Sequence, residues 1–353
     1  MNGRWIAKPK GFTLIEFLVA SALAIIVIAA AGGTYFMTRK VNDTAQRKLE
    51  IQQNLRNAAS MLTRDARNAG TFGCFNMASG RGFPVLPDSL TSIGLKINNE
   101  NDGFGVRQLS RGDITSLLTG QGLVSGSFTA ESDALIFIYG RGAAGVNQEI
   151  TKEQPTELSI NDASNDPDLN LTLSDNGYLV LSSCTEGRLA KVKSVDSGFK
   201  TVDVSIDPNN ALSSITTDSK DSRGEITVSR FYASMYVLGK LSATDSPALL
   251  RFDLNGQGQW QGPQLLAEGV SGMSISYGYI TGCTNLTATN IDGMNKEEYT
   301  FANTLSMKTL PAIVRLHLTY NTSADKANQS ETDYFINASV RGGNTCETVL
   351  PAL

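Results

Sequence analysis

KGFTLIEFLVASALAIIVIAAAGGTYFMT, residues 10–38, decides the fold of this chain. From Phe17 to Thr38 it holds 22 residues without a charge. As a helix rising ~1.5 Å per residue that run reaches about 33 Å, enough for a hydrocarbon core of roughly 30 Å. The preceding MNGRWIAKPKG carries Arg4, Lys8 and Lys10 and no acid. An ordinary secretory signal has about 7–15 apolar residues with a small-residue cleavage site after them. Ala20-Ser21-Ala22 offers such a site, yet the apolar run continues well past it and Glu16 lies inside it. A membrane helix is the better reading. An acid in such a span costs up to ~3 kcal/mol on insertion, which leaves two readings of Glu16: a functional carboxylate, or a shallow one that reaches the headgroups.

Downstream, Val41, Ala45, Ile51, Leu55, Ala58, Leu62, Ala66 and Ala69 recur mostly at spacings of three or four, which is one face of a helix. Gly70 is a stop signal. No proline occurs from Phe12 to Gly70, so span and amphipathic half read as one helix of 58 residues to Ala69, roughly 87 Å long. Its first part anchors and its second packs on a globular head. Gly32-Gly33 weakens the helix by about 1 kcal/mol per glycine relative to alanine, either as a soft point or as a site of close helix packing in the bilayer. Arg39 and Lys40 follow the span on the side away from the leader. This runs against the usual bias of basic residues, although the leader cluster is larger and a long domain crosses largely regardless of such charge.

The rest of the chain reads as strands and loops. Runs of β-branched and aromatic residues stand between turn signals at Ala134–Tyr139, Tyr178–Leu181, Ala190–Val195, Val202–Ile206, Ile226–Leu238, Leu249–Leu254, Met273–Tyr279, Ile313–Tyr320 and Tyr334–Val340. Their spacing predicts antiparallel sheet and not βαβ units. Asn255-Gly256, between Leu249–Leu254 and the segment at Trp260, is a hairpin signal. Pro84–Ser132, Asn147–Asn176 and Thr281–Lys308 are rich in Gly, Asn, Asp, Ser and Thr and read as large loops or irregular insertions.

Composition removes several function classes. Charged residues make up 18% of the 353 residues, thin against the usual quarter. The net charge of −4 gives no broad basic footprint for nucleic acid. A single histidine, His317, excludes multi-histidine zinc sites and leaves little for a Ser-His-Asp hydrolase. In IVRLHLTY, alternation places it with Arg315 and Thr319 on an exposed strand face. Gly140-Arg141-Gly142-Ala143-Ala144-Gly145 follows a strand in GxGxxG spacing, but no helical pattern follows it, so it reads as a flexible loop. Asp162, Asn165, Asp166 and Asp168 offer oxygen ligands for calcium without EF-hand spacing, and a solvated acidic loop is the commoner outcome. We expect no enzyme activity, no cofactor and no metal.

Lys10-Gly11-Phe12-Thr13-Leu14-Ile15-Glu16 resembles the prepilin signature of type IV pilins and type II secretion pseudopilins. The resemblance implies cleavage after Gly11, N-methylation of the new N-terminal Phe12, and pairing of Glu16 with an N-terminal amine in a filament. Cleavage leaves 342 residues and a net charge of −7. Gly32-Gly33 then resembles the helix-weakening point of many pilins. Arg64–Phe75 (RDARNAGTFGCF) and Ala248–Gly278 (ALLRFDLNGQGQWQGPQLLAEGVSGMSISYG) are similar to the PilW group of minor pilins and its J-type pseudopilin relatives. The implied layout is a leader (1–11), a membrane and filament-core helix (12–38), its amphipathic half (39–70) and a β-rich periplasmic or extracellular head (71–353). The fold class is α+β, a long helix on a large antiparallel head. Implied partners are other minor pilins, the major pilin, the prepilin peptidase, the inner-membrane assembly platform and a large tip adhesin. The implied location is the inner membrane, then the pilus fibre at the cell surface. Cys74, Cys184, Cys283 and Cys346 contain no CxxC, and an even count in an exported domain points to two disulfides. Three pairings are open, of which Cys74–Cys184 with Cys283–Cys346 is favoured because the first would tie the helix end to the sheet.

Overall fold

The structure, a computed structural model, describes residues 11–76, 95, 105–124, 127–146, 157–159, 177–183, 187–195, 201–206, 226–242, 244–282, 298–306, 310–321 and 331–342. The chain divides into two compact units, one holding the N-terminal segment up to Glu50 and the other running from Ile51 through the β-rich region. Helix α1 (Leu14–Asn68) is continuous, as the lack of proline allows. It stops where Gly70 takes a φ of 77°, a left-handed conformation that glycine adopts without steric cost.

In the first unit the apolar side chains of α1 are exposed, and the mean hydropathy of its best 18-residue window is 2.6. The helix is long and apolar enough to cross a membrane. In the second unit Ile51, Leu55, Ala58, Leu62 and Ala66 are buried at spacings of three and four. Full burial of Leu55 and Leu62 contributes about 1.5–3 kcal/mol each. Val41 and Ala45 continue the same period yet are exposed, so the packed face starts at Ile51, where the second unit begins, and not at residue 39.

Each of the nine runs picked out by composition is a strand. In chain order they are β5 (Ala134–Gly145), β7 (Tyr178–Ser182), β8 (Gly187–Val195), β9 (Thr201–Ile206), β10 (Thr227–Lys240), β11 (Ala248–Leu254), β13 (Val270–Gly282), β15 (Ile313–Asn321) and β16 (Glu331–Ser339). The remaining strands are β1 (Thr71–Phe72), β2 (Phe75–Asn76), β3 (Val106–Leu109), β4 (Thr129–Ala130), β6 (Glu157–Ser159), β12 (Trp260–Glu268) and β14 (Glu298–Ala302). Among the described residues every strand pair is antiparallel. A ten-stranded sheet runs β12-β11-β10-β7-β8-β9-β6, with β5 and β4 also paired to β10 and β3 to β5. A second sheet runs β14-β13-β15-β16.

The three gaps expected to be loops hold more structure than their composition promised. Helix α2 (Arg111–Gly120) lies in the first, with Ser110 as its N-cap: the Asp113 N–H donates to Ser110 Oγ at 3.3 Å, and that hydroxyl donates to Asp113 Oδ2 at 2.7 Å. Ile114 and Leu118, one turn apart, bury its inner face. β6 and β14 occupy the other two gaps. The glycine-rich run 140–145 is no loop either, since β5 continues through Gly145.

Both faces of β10 are covered. Phe231, Ala233, Met235 and Val237 join one core with Trp260, Phe72 and α2, while Tyr232, Tyr236 and Leu238 join the other with α1 and the four-stranded sheet. At the end of α1 the Gly70 N–H donates to the Ile138 carbonyl at 2.8 Å, and the Ile138 N–H donates to the Gly105 carbonyl at 2.7 Å. Gly105 lies so close to the Gly70 main chain that no Cβ fits there.

Candidate functional site

The N-terminal site begins outside the helix. Gly11, Phe12 and Thr13 precede α1 without regular structure; Phe12 is 90% exposed, and no heavy atom lies within 4 Å of a Cβ built on Gly11. Thr13 caps the helix with Glu16. The Thr13 N–H donates to Glu16 Oε2 at 3.0 Å, the Thr13 hydroxyl donates to the same oxygen at 3.1 Å, and the Glu16 N–H donates to Thr13 Oγ1 at 3.3 Å. This is a capping box, signalled by Thr-x-x-Glu just before an apolar run. In the full-length chain, where Phe12 is still in peptide linkage to Gly11, Glu16 therefore serves the helix terminus. The Thr13 role is the part of this site that the sequence reading missed.

A second constellation lies in the second unit, and it comes from residues that are far apart in sequence. Asp65 sits on the packed face of α1 and is fully buried. Tyr139 pairs with Tyr232 across β5 and β10, and Tyr236 pairs with Arg251 across β10 and β11. Alternation along these strands turns all four toward α1. The Tyr139 hydroxyl donates to Asp65 Oδ1 at 2.9 Å, and the Tyr236 hydroxyl donates to Oδ2 at 2.7 Å. Arg251 Nη2 donates to Oδ2 at 3.0 Å and to the Tyr232 hydroxyl at 3.1 Å. Arg251 Nε lies 3.0 Å from Asp253 Oδ1, an ion pair misaligned for a hydrogen bond. Above the Tyr232 ring stand the guanidinium groups of Arg141 and Arg230, 4.7 and 5.4 Å from its centroid.

Burial, reinforced by the Asp65 charge, pushes the Tyr139 and Tyr236 phenols well above their ordinary range. Burial and then Asp253 do the same to Tyr232. Burial works to lower Arg251, but the neighbouring Tyr236 and Asp65 outweigh it and hold the guanidinium firmly charged. Such a network holds a helix to a sheet.

Residues 6–32 match the family model for the prokaryotic N-terminal methylation motif. This is a type IV pilin-like signal, and it indicates a pilin- or pseudopilin-like protein. Comparison with curated proteins and with solved structures found no match.

The other sequence candidates fall apart from these two sites. His317 stands on the outward face of β15, whose inward residues Val314, Leu316, Leu318 and Tyr320 are buried. It stacks on Phe335 at 4.4 Å between centroids and lies 2.8 Å from Asp333 Oδ1. Asn255 closes the β11–β12 hairpin, its Oδ1 accepting from the Gln257 and Gln259 N–H groups at 3.0 and 2.8 Å. Cys74, between β1 and β2, is disulfide-bonded. Cys184, Cys283, Cys346 and the acidic loop Asp162–Asp168 lie outside the described residues. Among the described residues no group of His, Cys, Asp and Glu could hold a metal.

Two predictions follow from the buried network. Asp65→Leu leaves the Arg251 charge without its buried partner and destabilises the second unit by about 3–5 kcal/mol. Adding Arg251→Met recovers roughly half of that loss or more, as denaturation followed by fluorescence of the buried Trp260 will show. A double variant that loses as much as Asp65→Leu or more would mean that the unpaired Arg251 charge is not the source of the loss. The second prediction concerns alkali. A phenol whose folded pKa is raised contributes stability fully present below its unfolded pKa of about 10 and lost as pH rises toward the folded value. Tyr139, Tyr232 and Tyr236 should therefore ionise only as the protein unfolds. Tyrosinate absorbance and circular dichroism should change together above about pH 10, whereas complete tyrosine ionisation with the fold intact would contradict the burial.

Proposed function

We propose that this chain is a minor pilin, similar to the PilW group, that joins a priming or tip complex in type IV pilus assembly. The observation that carries the reading is the methylation motif over residues 6–32, placed on an exposed Gly11–Phe12 bond just outside α1. A peptidase needs an extended, accessible backbone at the bond it cuts, and a helical one would be closed to it. In this reading the prepilin peptidase cleaves after Gly11, Phe12 is N-methylated, and the uncharged span from Phe17 holds the precursor in the inner membrane with its head in the periplasm. Other minor pilins, the major pilin, the assembly platform and a large tip adhesin are its partners, and the role is structural and not enzymatic. After assembly the head stands on the fibre at the cell surface.

Once Phe12 carries a free amine, it lies four residues before Glu16, one position ahead of the Thr13 cap. In a dry helix bundle each charge lowers the cost of the other. The reading also pairs Cys74 with Cys184. Phe72 and Ser182, two positions before each cysteine, are joined by a 2.7 Å hydrogen bond from Ser182 Oγ to the Phe72 carbonyl. A J-type pseudopilin of a secretion system is the second reading, supported by the same two segments, Arg64–Phe75 and Ala248–Gly278. Recovery from pili or from a secretion pseudopilus separates the two.

Mass spectrometry of the N-terminal peptide should find Phe12 first with one added methyl, and Gly11→Leu should leave an uncut precursor in the membrane. A mature start at Leu23 would sink the reading. Glu16→Gln tests the carboxylate separately, because glutamine also serves a capping box but carries no charge. This variant should be inserted and cut like wild type yet be scarce in sheared pili on immunoblots. Normal amounts in both membranes and pili would leave Glu16 as a helix cap only.

A further inference from the structure

We propose that Arg56, Arg64 and Arg67 form a docking strip on α1 for an acidic head surface of a neighbouring filament subunit, an inference that rests on the pilin reading. The three positions are spaced so that they follow one helix face over about 16 Å. In the second unit the exposed residues of α1 are Gln53, Arg56, Asn57, Ser60, Arg64, Arg67 and Asn68, with no carboxylate among them. The one acid between Ile51 and Gly70 is Asp65, and it is buried against Arg251. Arg64 Nε lies 3.6 Å from Asp65 Oδ1, while Arg56 and Arg67 have no ion-pair partner among the described residues. A monomer surface usually intersperses both signs; this one presents three cations and small polar spacers.

The sign of the partner follows from the charge of the chain itself. Residues 12–70 hold 7 Lys and Arg against 4 Asp and Glu, a net of +3, whereas residues 71–353 hold 20 against 30, a net of −10. A neighbouring subunit of like composition offers the helix strip a surface of opposite sign, and such complementarity sets register and suppresses wrong partners. A nucleic acid meets the same −10 as repulsion. Eighteen residues separate Thr38, the end of the apolar span, from Arg56, which makes a lipid headgroup the poorer fit. A strip on one subunit that meets a different surface on the next is a heterologous contact, the kind that propagates along a filament.

The experiment uses the full-length chain in cells that assemble filaments. Arg56→Glu with Arg67→Glu should lower its amount in sheared filaments about tenfold, while membrane levels and cleavage after Gly11 stay normal. Arg56→Lys with Arg67→Lys, which keeps the charge, should lower it less than about twofold. Arg64 is left in place because of its contact with Asp65. A photo-cross-linker at Ser60 should join an Asp- and Glu-rich head peptide of an adjacent subunit, with a yield that falls as salt is raised. Unchanged incorporation of the Glu pair, or adducts to lipid, nucleic acid or a head peptide without acids, would overturn the strip and leave the pilin reading standing. Absence of the processed wild-type chain from filaments would overturn both.

Discussion

A fully buried carboxylate needs compensation from its surroundings, and Asp65 receives it from three strands at once. Its oxygens accept from Tyr139 on β5, Tyr236 on β10 and Arg251 on β11. An isolated charge in that position would cost several kcal/mol, so the helix can enter this core only in the rotation and depth that deliver Asp65 to those donors. The apolar stripe of Ile51, Leu55, Ala58, Leu62 and Ala66 supplies most of the attraction, but apolar contact is non-directional and tolerates small rotations. Asp65 removes that tolerance. The Gly70–Ile138 and Ile138–Gly105 hydrogen bonds hold the end of the helix at the same depth.

The N-terminal half of α1 obeys a different rule. Its side chains are exposed and uncharged from Phe17 to Thr38, a surface that suits hydrocarbon or a bundle of like helices and not water. Glu16 is the exception, and the Thr13 capping box gives it a local role in the full-length chain. Cleavage after Gly11 would add a cation at Phe12 within reach of that same carboxylate. The cap and the proposed charge pair would draw on the same side chain.

Much of the architecture was legible in the sequence because period and composition are local signals. The span, the Gly70 stop and all nine main strands stood out, as did the exposed face that holds His317. Helix α2 was missed because its surroundings are rich in Gly, Ser and Asp, although Ser110 and Asp113 already spelled a cap and Ile114 and Leu118 a buried turn. The Gly140–Gly145 run looked like a loop because its glycines break local preference; pairing with β10 keeps it extended. Arg64–Phe75 and Ala248–Gly278 drew notice as segments, and they contain the two residues, Asp65 and Arg251, that join helix to sheet.

The sequence by itself determined which stretch is long and apolar enough to cross a membrane, where the helix ends, that the β-rich region is antiparallel, and that the N-terminus carries a pilin-like methylation motif. Each of these depends on neighbours within a few positions, where steric preference and hydrophobic period act directly. Only the tertiary structure decided that Asp65 is inside and Arg56, Arg64 and Arg67 are outside. In sequence all four are polar residues on one helix. What separates them is the register of β5, β10 and β11, which gathers two tyrosines and an arginine at one point of the core and makes burial affordable for that single acid.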